Sequence, residues 1–420
     1  MERKNVFLWS LYDFANSIVM IVFLFYFSQW LVIDTGRPDW WYNATLIISS
    51  VLFIITAPIA GHMVDTFGKK LSGLRITTAL TFVFYLDTAL VTLLSPTHVA
   101  LATLLFTLAL YFYLLSFVFY TPMINDIASP NDRGFISGIG QGANYFGQVG
   151  GLLVTLPFAT GAVYLFGTAG RVQALLPASV LFGLCALPML LWYNEHDARP
   201  RHSQENLAGH YQQLLTKLRK IFAIKNLLFL FLAYFFFSDA LLTFSNNFPI
   251  FLEKVYGVAD AAKTYLTAGI LILAGIGAVF FGKIADRRGN VPVLTWILVG
   301  WCVLLPLLAF APSFPFAAVI CLLAGLIFGA VWGVSRAMVA EFTPREIEGS
   351  SFSFYTIFER FATFIGPITW SVVLAATADK GVLSYRYAII SLAVLLVVSI
   401  IFLRKVRPTQ GPRSQSAPGQ

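Results

Sequence analysis

The chain has 420 residues, 58% of them hydrophobic and only 11% charged, with 28 Lys and Arg against 20 Asp and Glu and a net charge of +8. A soluble surface needs more charge than this, and basic residues scattered over short polar connections do not make a nucleic-acid face. The three cysteines, Cys185, Cys302 and Cys321, lie inside apolar runs, which excludes a disulfide framework.

Apolar runs of roughly 20 residues, the length that crosses a hydrocarbon core of about 30 Å, recur about twelve times. In chain order they are predicted near 6–33, 42–64, 73–94, 98–121, 136–166 and 175–194, then 225–252, 264–283, 291–311, 315–341, 350–377 and 384–404. The first run carries Asp13 and Asn16 and has no small-residue cleavage site, so it is expected to be a retained helix rather than a leader. The pattern divides the chain into an N-terminal six-helix lobe (1–194), a linker (195–224), a C-terminal six-helix lobe (225–405) and a disordered tail (406–420). Leu207, Tyr211, Leu214, Leu215, Leu218 and Phe222 in the linker have helical spacing and suit either a short amphipathic helix on the membrane surface or a plain helical linker. His196 and His202, beside Glu195 and Asp197, fit no metal-ligand spacing, and no metal or other cofactor is expected.

Lys and Arg gather in alternate connections, from Arg3 and Lys4 through Lys69, Lys70 and Arg133 to Arg404, Lys405 and Arg407. The intervening connections carry only Arg37, Arg171, Lys254, Lys263, Lys380 and Arg386. This bias places both termini in the cytoplasm. An even number of spans requires the termini to share a side.

One frame occurs twice. Gly61-x-x-x-Asp65-x-x-Gly68-Lys69 returns as Gly282-x-x-x-Asp286-Arg287-x-Gly289, 221 positions later and between the same two spans of each half. The glycines at its start are expected to let a neighbouring helix approach, and those at its end to allow a tight turn. The carboxylates stand where they can face a helix N-terminus or a basic side chain and latch the halves. A membrane protein repeating itself in this way is expected to be a two-lobed transporter.

This frame resembles the loop signature of the major facilitator superfamily over the whole chain. The resemblance implies two lobes around a central cavity open alternately to each side. Trp9-Ser10-Leu11-Tyr12-Asp13-Phe14-Ala15-Asn16-Ser17, Ser335-Arg336-Ala337-Met338, Phe342-Thr343-Pro344, Gly366-Pro367 and Tyr385-Arg386 are similar to the branch named for the fungal vacuolar amino-acid effluxer of autophagy. Amino acids are the substrate class this implies.

A charge at the bilayer centre costs roughly 2.5–3.5 kcal/mol on insertion scales, so each needs a reason. Asp13 and Asp239 lie within the first span of each half, 226 positions apart and therefore only approximate counterparts. Glu359 and Arg360, with Tyr355 one turn away, lie in span 11. With Asn16, Asn144 and Tyr145 they form the candidate set for substrate or proton binding, and the competing reading is buried carboxylates and ion pairs that pack helices. Asp126, Arg336 and Glu341 at the inner ends of spans 4 and 10 are expected to partner Asp65, Asp286 and Arg133 in a gate. Gly138, Gly142, Gly147 and Gly151 in span 5 make two small-xxx-small pairs.

The expected activity is secondary active transport of a small polar solute by a monomer in the plasma membrane, with protons as the candidate coupling ion. A lipid flippase, or a drug or sugar transporter on the same fold, is the alternative. No nucleophile–base pair points to an enzyme, and no G-x-x-x-x-G-K-[ST] loop points to ATP.

Overall fold

The computed structural model describes residues 3–67, 70–128, 133–195, 212, 216, 218–343 and 364–407, with the backbone alone for 65–67, 125, 133–135 and 340. Tyr355, Glu359, Arg360, Gly68, Lys69 and most of the expected amphipathic helix lie outside the described residues. So do the side chains of Asp65 and Arg133.

Among the described residues, twelve helices of twelve residues or more follow the apolar runs. In the first half they are α1 (Arg3–Asp34), α2 (Asp39–Phe67), α3 (Lys70–Leu94), α4 (Val99–Tyr120), α5 (Arg133–Ala159) and α6 (Leu175–Trp192). In the second half they are α7 (Lys225–Tyr256), α8 (Asp260–Arg288), α9 (Asn290–Ala309), α10 (Phe314–Phe342), α11 (Ile365–Ala376) and α12 (Val382–Leu403). Ten spans among the described residues are long and apolar enough to cross a membrane. The other two are α5, diluted by Gln141, Asn144 and Gln148, and α11, whose described part has 12 residues. With the observed fold this makes an all-α integral membrane protein.

The buried side chains form two cores. One gathers residues from Val6 to Tyr193, joined by Ile250 and Leu271; the other runs from Ile221 to Val406. Lipid is as apolar as Leu, so close packing rather than exclusion from water must hold such helices together. Gly147 and Gly151 of α5 lie against the backbone of Phe14 and Ile18 in α1. Gly277, Gly325 and Gly329 similarly seat α8 and α10 on each other at Leu326, Ile270 and Ala274.

Each half also carries an asparagine clasp. Asn5 donates to the Asn194 carbonyl at 3.0 Å and accepts from the Asn194 amide at 3.4 Å, tying the start of α1 to the end of α6. Asn226 does the same with Arg407, at 3.0 and 3.1 Å, tying α7 to the end of α12. Asn5 and Asn226 are 221 positions apart, the offset of the repeated frame. Under that offset the counterpart of Asp13 is Tyr234, not Asp239.

The last two segments of α1, Phe23–Phe27 and Trp30–Asp34, are π-helical. A π turn holds an extra residue and shifts the faces that follow it. Tyr26, Gln29 and Asp34 lie in or between these segments; Tyr26 and Gln29 reach the other half of the molecule, and Asp34 reaches Arg171.

Candidate functional site

Three polar zones lie between or within the lobes. The first is on α1 and α5. Asn144 Nδ2 lies 3.5 Å from Asp13 Oδ1, and Gln148 Nε2 donates to Asn144 Oδ1 at 2.6 Å. Asp13 and Asn144 are half-buried. Trp9 stacks on Tyr120 with centroids 4.9 Å apart, Tyr12 leans on Tyr120 at 5.0 Å, and the Tyr12 hydroxyl bonds Thr78 at 2.7 Å. Gly140 leaves room for the Trp9 ring and lies beside Asp13 Oδ2. Asn16, one turn beyond Asp13, is buried with neither amide atom in a protein hydrogen bond. Tyr145 is the α5 residue within electrostatic range of Arg336 on α10, across the lobes.

The second zone belongs to Asp239. Its carboxylate accepts from the backbone amides of Phe364 at 3.1 Å and Gly366 at 2.6 Å, and the residue is 0% exposed. Those amides lie in the first turn of α11 as described, where intrahelical acceptors are missing. The side chain from α7 therefore caps α11, and the packing alternative describes its surroundings better than a solute-facing one. A β-carbon on Gly366 would collide with Thr243 Oγ1, so the two helices can be this close only with glycine there.

The third zone was not anticipated from the sequence. It lies at the distal ends of the helices, the face opposite the termini, and consists of contacts between the lobes. Arg171, in the short helix before α6, grips Glu253 of α7 with two bonds of 2.9 and 3.1 Å. Its Nε lies 3.3 Å from Asp34 of α1 and 3.4 Å from Asp260 of α8, and its Nη1 donates to Gln29 at 3.2 Å. Lys263 of α8 is 0% exposed; it pairs with Asp260 at 2.8 Å and also binds Glu253 and Gln29. The loop that presents Arg171 is fixed by buried Gln173, which donates to the Phe166 and Thr168 carbonyls and accepts from the Leu165 amide. Glu253 and Asp260 are brought together by Gly257, whose φ of +64° closes α7 with an amide bond to the Glu253 carbonyl at 2.8 Å. Such a left-handed cap favours glycine.

Two more lobe-to-lobe contacts flank the cluster and mirror each other. Tyr26 of α1 bonds Thr264 of α8 at 2.9 Å. Asn247 of α7 bonds Asn43 of α2 at 3.1 Å. Adding 221 to Tyr26 gives Asn247, and subtracting it from Thr264 gives Asn43. The same operation relates Asp260 to Asp39, which accepts from Tyr385 of α12 at 2.8 Å.

At the end bearing the termini, two expected gate residues, Asp126 and Glu341, make contacts within their own lobes. Lys70 binds both oxygens of Asp126 at 2.7 Å, so Asp126 meets the residue after the first frame's turn. Asn290 donates to Glu341 at 2.8 Å. Gly289 has the expected positive φ, +89°. Among the described residues, no atom lies within 4 Å of where a β-carbon on Gly61 or Gly282 would sit, so no described helix is seated on either. Gly138, Gly142 and Gly333 face open space too, so only the later pair of the α5 glycine series is packed. Asp286 and Arg287 lie in the last turns of α8, and no metal-binding group of His, Cys, Asp or Glu occurs among the described residues.

Two six-helix lobes with polar contacts across one face define a two-lobed polytopic membrane protein. The sequence pattern of the Major Facilitator Superfamily matches residues 230–420. An uncharacterized MFS-type transporter of Bacillus subtilis (strain 168), YxiO, is 24% identical over 94% of this chain and 93% of its own. Autophagy-related protein 22 of Cryptococcus neoformans is 27% identical over 51% of this chain and 42% of its own. The solved structure of nucleoside transporter NupG superposes with a TM-score of 0.75 at 12% identity, covering 96% of this chain and all of that one. The chain is similar to the major facilitator superfamily, and in particular to its branch that contains autophagy-related protein 22.

Proposed function

We propose that the protein is a secondary active transporter that moves a small polar solute by alternating access. The observation that carries this reading is a contrast in contact chemistry. Within each lobe, α1 with α5 and α8 with α10 meet backbone to backbone at glycines, alongside polar clasps at the helix ends. Between the lobes at the distal face, they meet through hydroxyls, amides and ion pairs. Polar partners can be exchanged for water when a seam opens, whereas backbone-to-backbone packing has no such replacement; rigid lobes rocking about a breakable seam are the result.

The solute-binding candidate is the Asp13–Asn144–Gln148 line on α1 and α5, with Tyr145 and Arg336 facing from the two lobes. A carboxylate on one lobe and a guanidinium on the other suit a solute carrying both an amine and a carboxylate. This agrees with the amino-acid substrates implied by the branch. Both termini are placed in the cytoplasm of a plasma-membrane protein, so the joined distal face looks outward and the solute site communicates inward. The protein works as a monomer, each chain supplying both lobes.

Counterflow of pooled labelled amino acids into proteoliposomes tests this. Saturable accumulation above empty liposomes supports the reading. Absence of accumulation by protein that remains monodisperse removes amino acids, and sugars, nucleosides, drugs and lipids become the next pools.

A further inference from the structure

The distal face has two seams related by the internal repeat, yet only one is rich in charge. On the α1–α8 side stand Gln29, Asp34, Glu253, Asp260 and Lys263. Their counterparts 221 positions away are Ile250, Val255, Val32, Asp39 and Tyr42. The fold thus closes the related seam chiefly with apolar, hydroxyl and amide groups. Charge on the first seam is not required for closure, and burying it is expensive.

The charges also do not balance. Asp34, Glu253 and Asp260 supply three negative charges; Arg171 and Lys263 supply two positive. When the lobes part, Arg171 leaves with Asp34 on the first lobe as a neutral pair. Glu253 and Asp260 remain on the second lobe around a single cation, Lys263. We propose that this half-cluster is a proton-binding site, empty while Arg171 is docked and filled from the distal side when the seam opens.

The direction follows from the contacts. In the closed seam Glu253 is held by two bonds from Arg171 and one from Lys263, and a proton would displace them. In the open seam Glu253 has lost both Arg171 bonds and shares one lysine with Asp260, so a proton there displaces fewer contacts. Protons therefore bind the open state more tightly and shift the population toward it. The groups facing the site are Asp34 and Tyr26 from α1, Arg171 from the loop before α6, and Asp260 and Lys263 from α8. His98 lies exposed between α3 and α4. This inference rests on the alternating-access reading and adds where its proton is held.

The test is a distance measurement. Spin labels replace the exposed distal residues Trp40 and Phe310, one on each half, in a Cys185→Ser, Cys302→Ser, Cys321→Ala background reconstituted in nanodiscs. Pulsed EPR distances are recorded from pH 8 to pH 5. The ratio of long to short distances should rise on acidification by up to about tenfold per pH unit, the limit for one proton. Asp260→Asn should abolish the rise, because the half-cluster is then neutral. Asp39→Asn at the related position, Asp34→Asn on the other lobe and His98→Gln should retain it. A ratio independent of pH in the parent protein overturns the proposal, as does a rise that survives Asp260→Asn or is lost equally in Asp39→Asn. If Asp260→Asn fails to show the short distance at pH 8, Glu253→Asp serves in its place: it keeps the charge count, so the rise must persist with a shifted midpoint, and its loss overturns the proposal. Distances that respond to pH in a protein that accumulates no solute would refute the transport reading while leaving the proton site standing. Transport with unresponsive distances would do the reverse.

Discussion

At Asp239 a single atom pair decides the outcome of a substitution. Asp239→Asn keeps the shape of the side chain but turns one acceptor into a donor facing the Phe364 or Gly366 amide. A buried donor left without an acceptor costs about 1–3 kcal/mol, so the variant should lose several degrees of thermal stability in detergent, read by intrinsic fluorescence. Asp13→Asn, on a half-buried residue whose contact with the Asn144 amide is a long 3.5 Å, should cost less stability than Asp239→Asn. It should reduce gradient-driven uptake by more than about tenfold, the loss expected when a charged contact worth over 1.4 kcal/mol is removed. Unimpaired uptake in that variant would take Asp13 out of the mechanism. The sequence identified both carboxylates from the cost of charge in a span. It could not distinguish their environments, because the group that satisfies Asp239 comes from 125 and 127 positions away. Lys263 was passed over for the opposite reason: next to a span boundary it looked like an ordinary loop charge, and only docking of the lobes makes it fully buried.

The helices themselves separate two kinds of glycine that look alike in the sequence. Gly277→Ala would drive a methyl into the Leu326 carbonyl and force α8 away from α10, whereas Gly282→Ala meets nothing within 4 Å. Overpacking of this kind costs about 1–3 kcal/mol. The first variant should therefore melt well below the parent, while the second should melt with it. Equal melting of the two would show that the α8–α10 contact is looser than described. Gly257→Ala places a side chain at positive φ beside Glu253 and should cost about 1 kcal/mol. Helix positions followed directly from run length. α5 followed in the same way despite Asn144 and Gln148, since apolar residues still dominate the run. The π-helical end of α1 left no trace, because Phe23–Phe27 and Trp30–Asp34 are as apolar as any straight helix would be.

For the whole molecule, the repeat offset of 221 was legible from one loop frame, and the clasps at Asn5 and Asn226 obey it. Which faces of the halves meet was not legible, since no local pattern encodes the docking of two separately packed bodies. The mirrored contact of Asn43 with Asn247 supplies a test of whether the distal seam must open. With cysteines at both positions in the background free of native cysteines, a short bifunctional thiol reagent should arrest counterflow, and reduction of a cleavable bridge should restore it. Full counterflow by bridged protein would show that solute passes without distal opening. The π-helical register has a further consequence for anyone retuning this protein. A substitution between Phe23 and Phe27 that favours ordinary helix would remove no charge and change no length. Relaxing that turn would nevertheless rotate everything beyond it by about 100°. Gln29 and Asp34 would swing away from Lys263 and Arg171, so a change of winding in an apolar stretch would act as an electrostatic mutation.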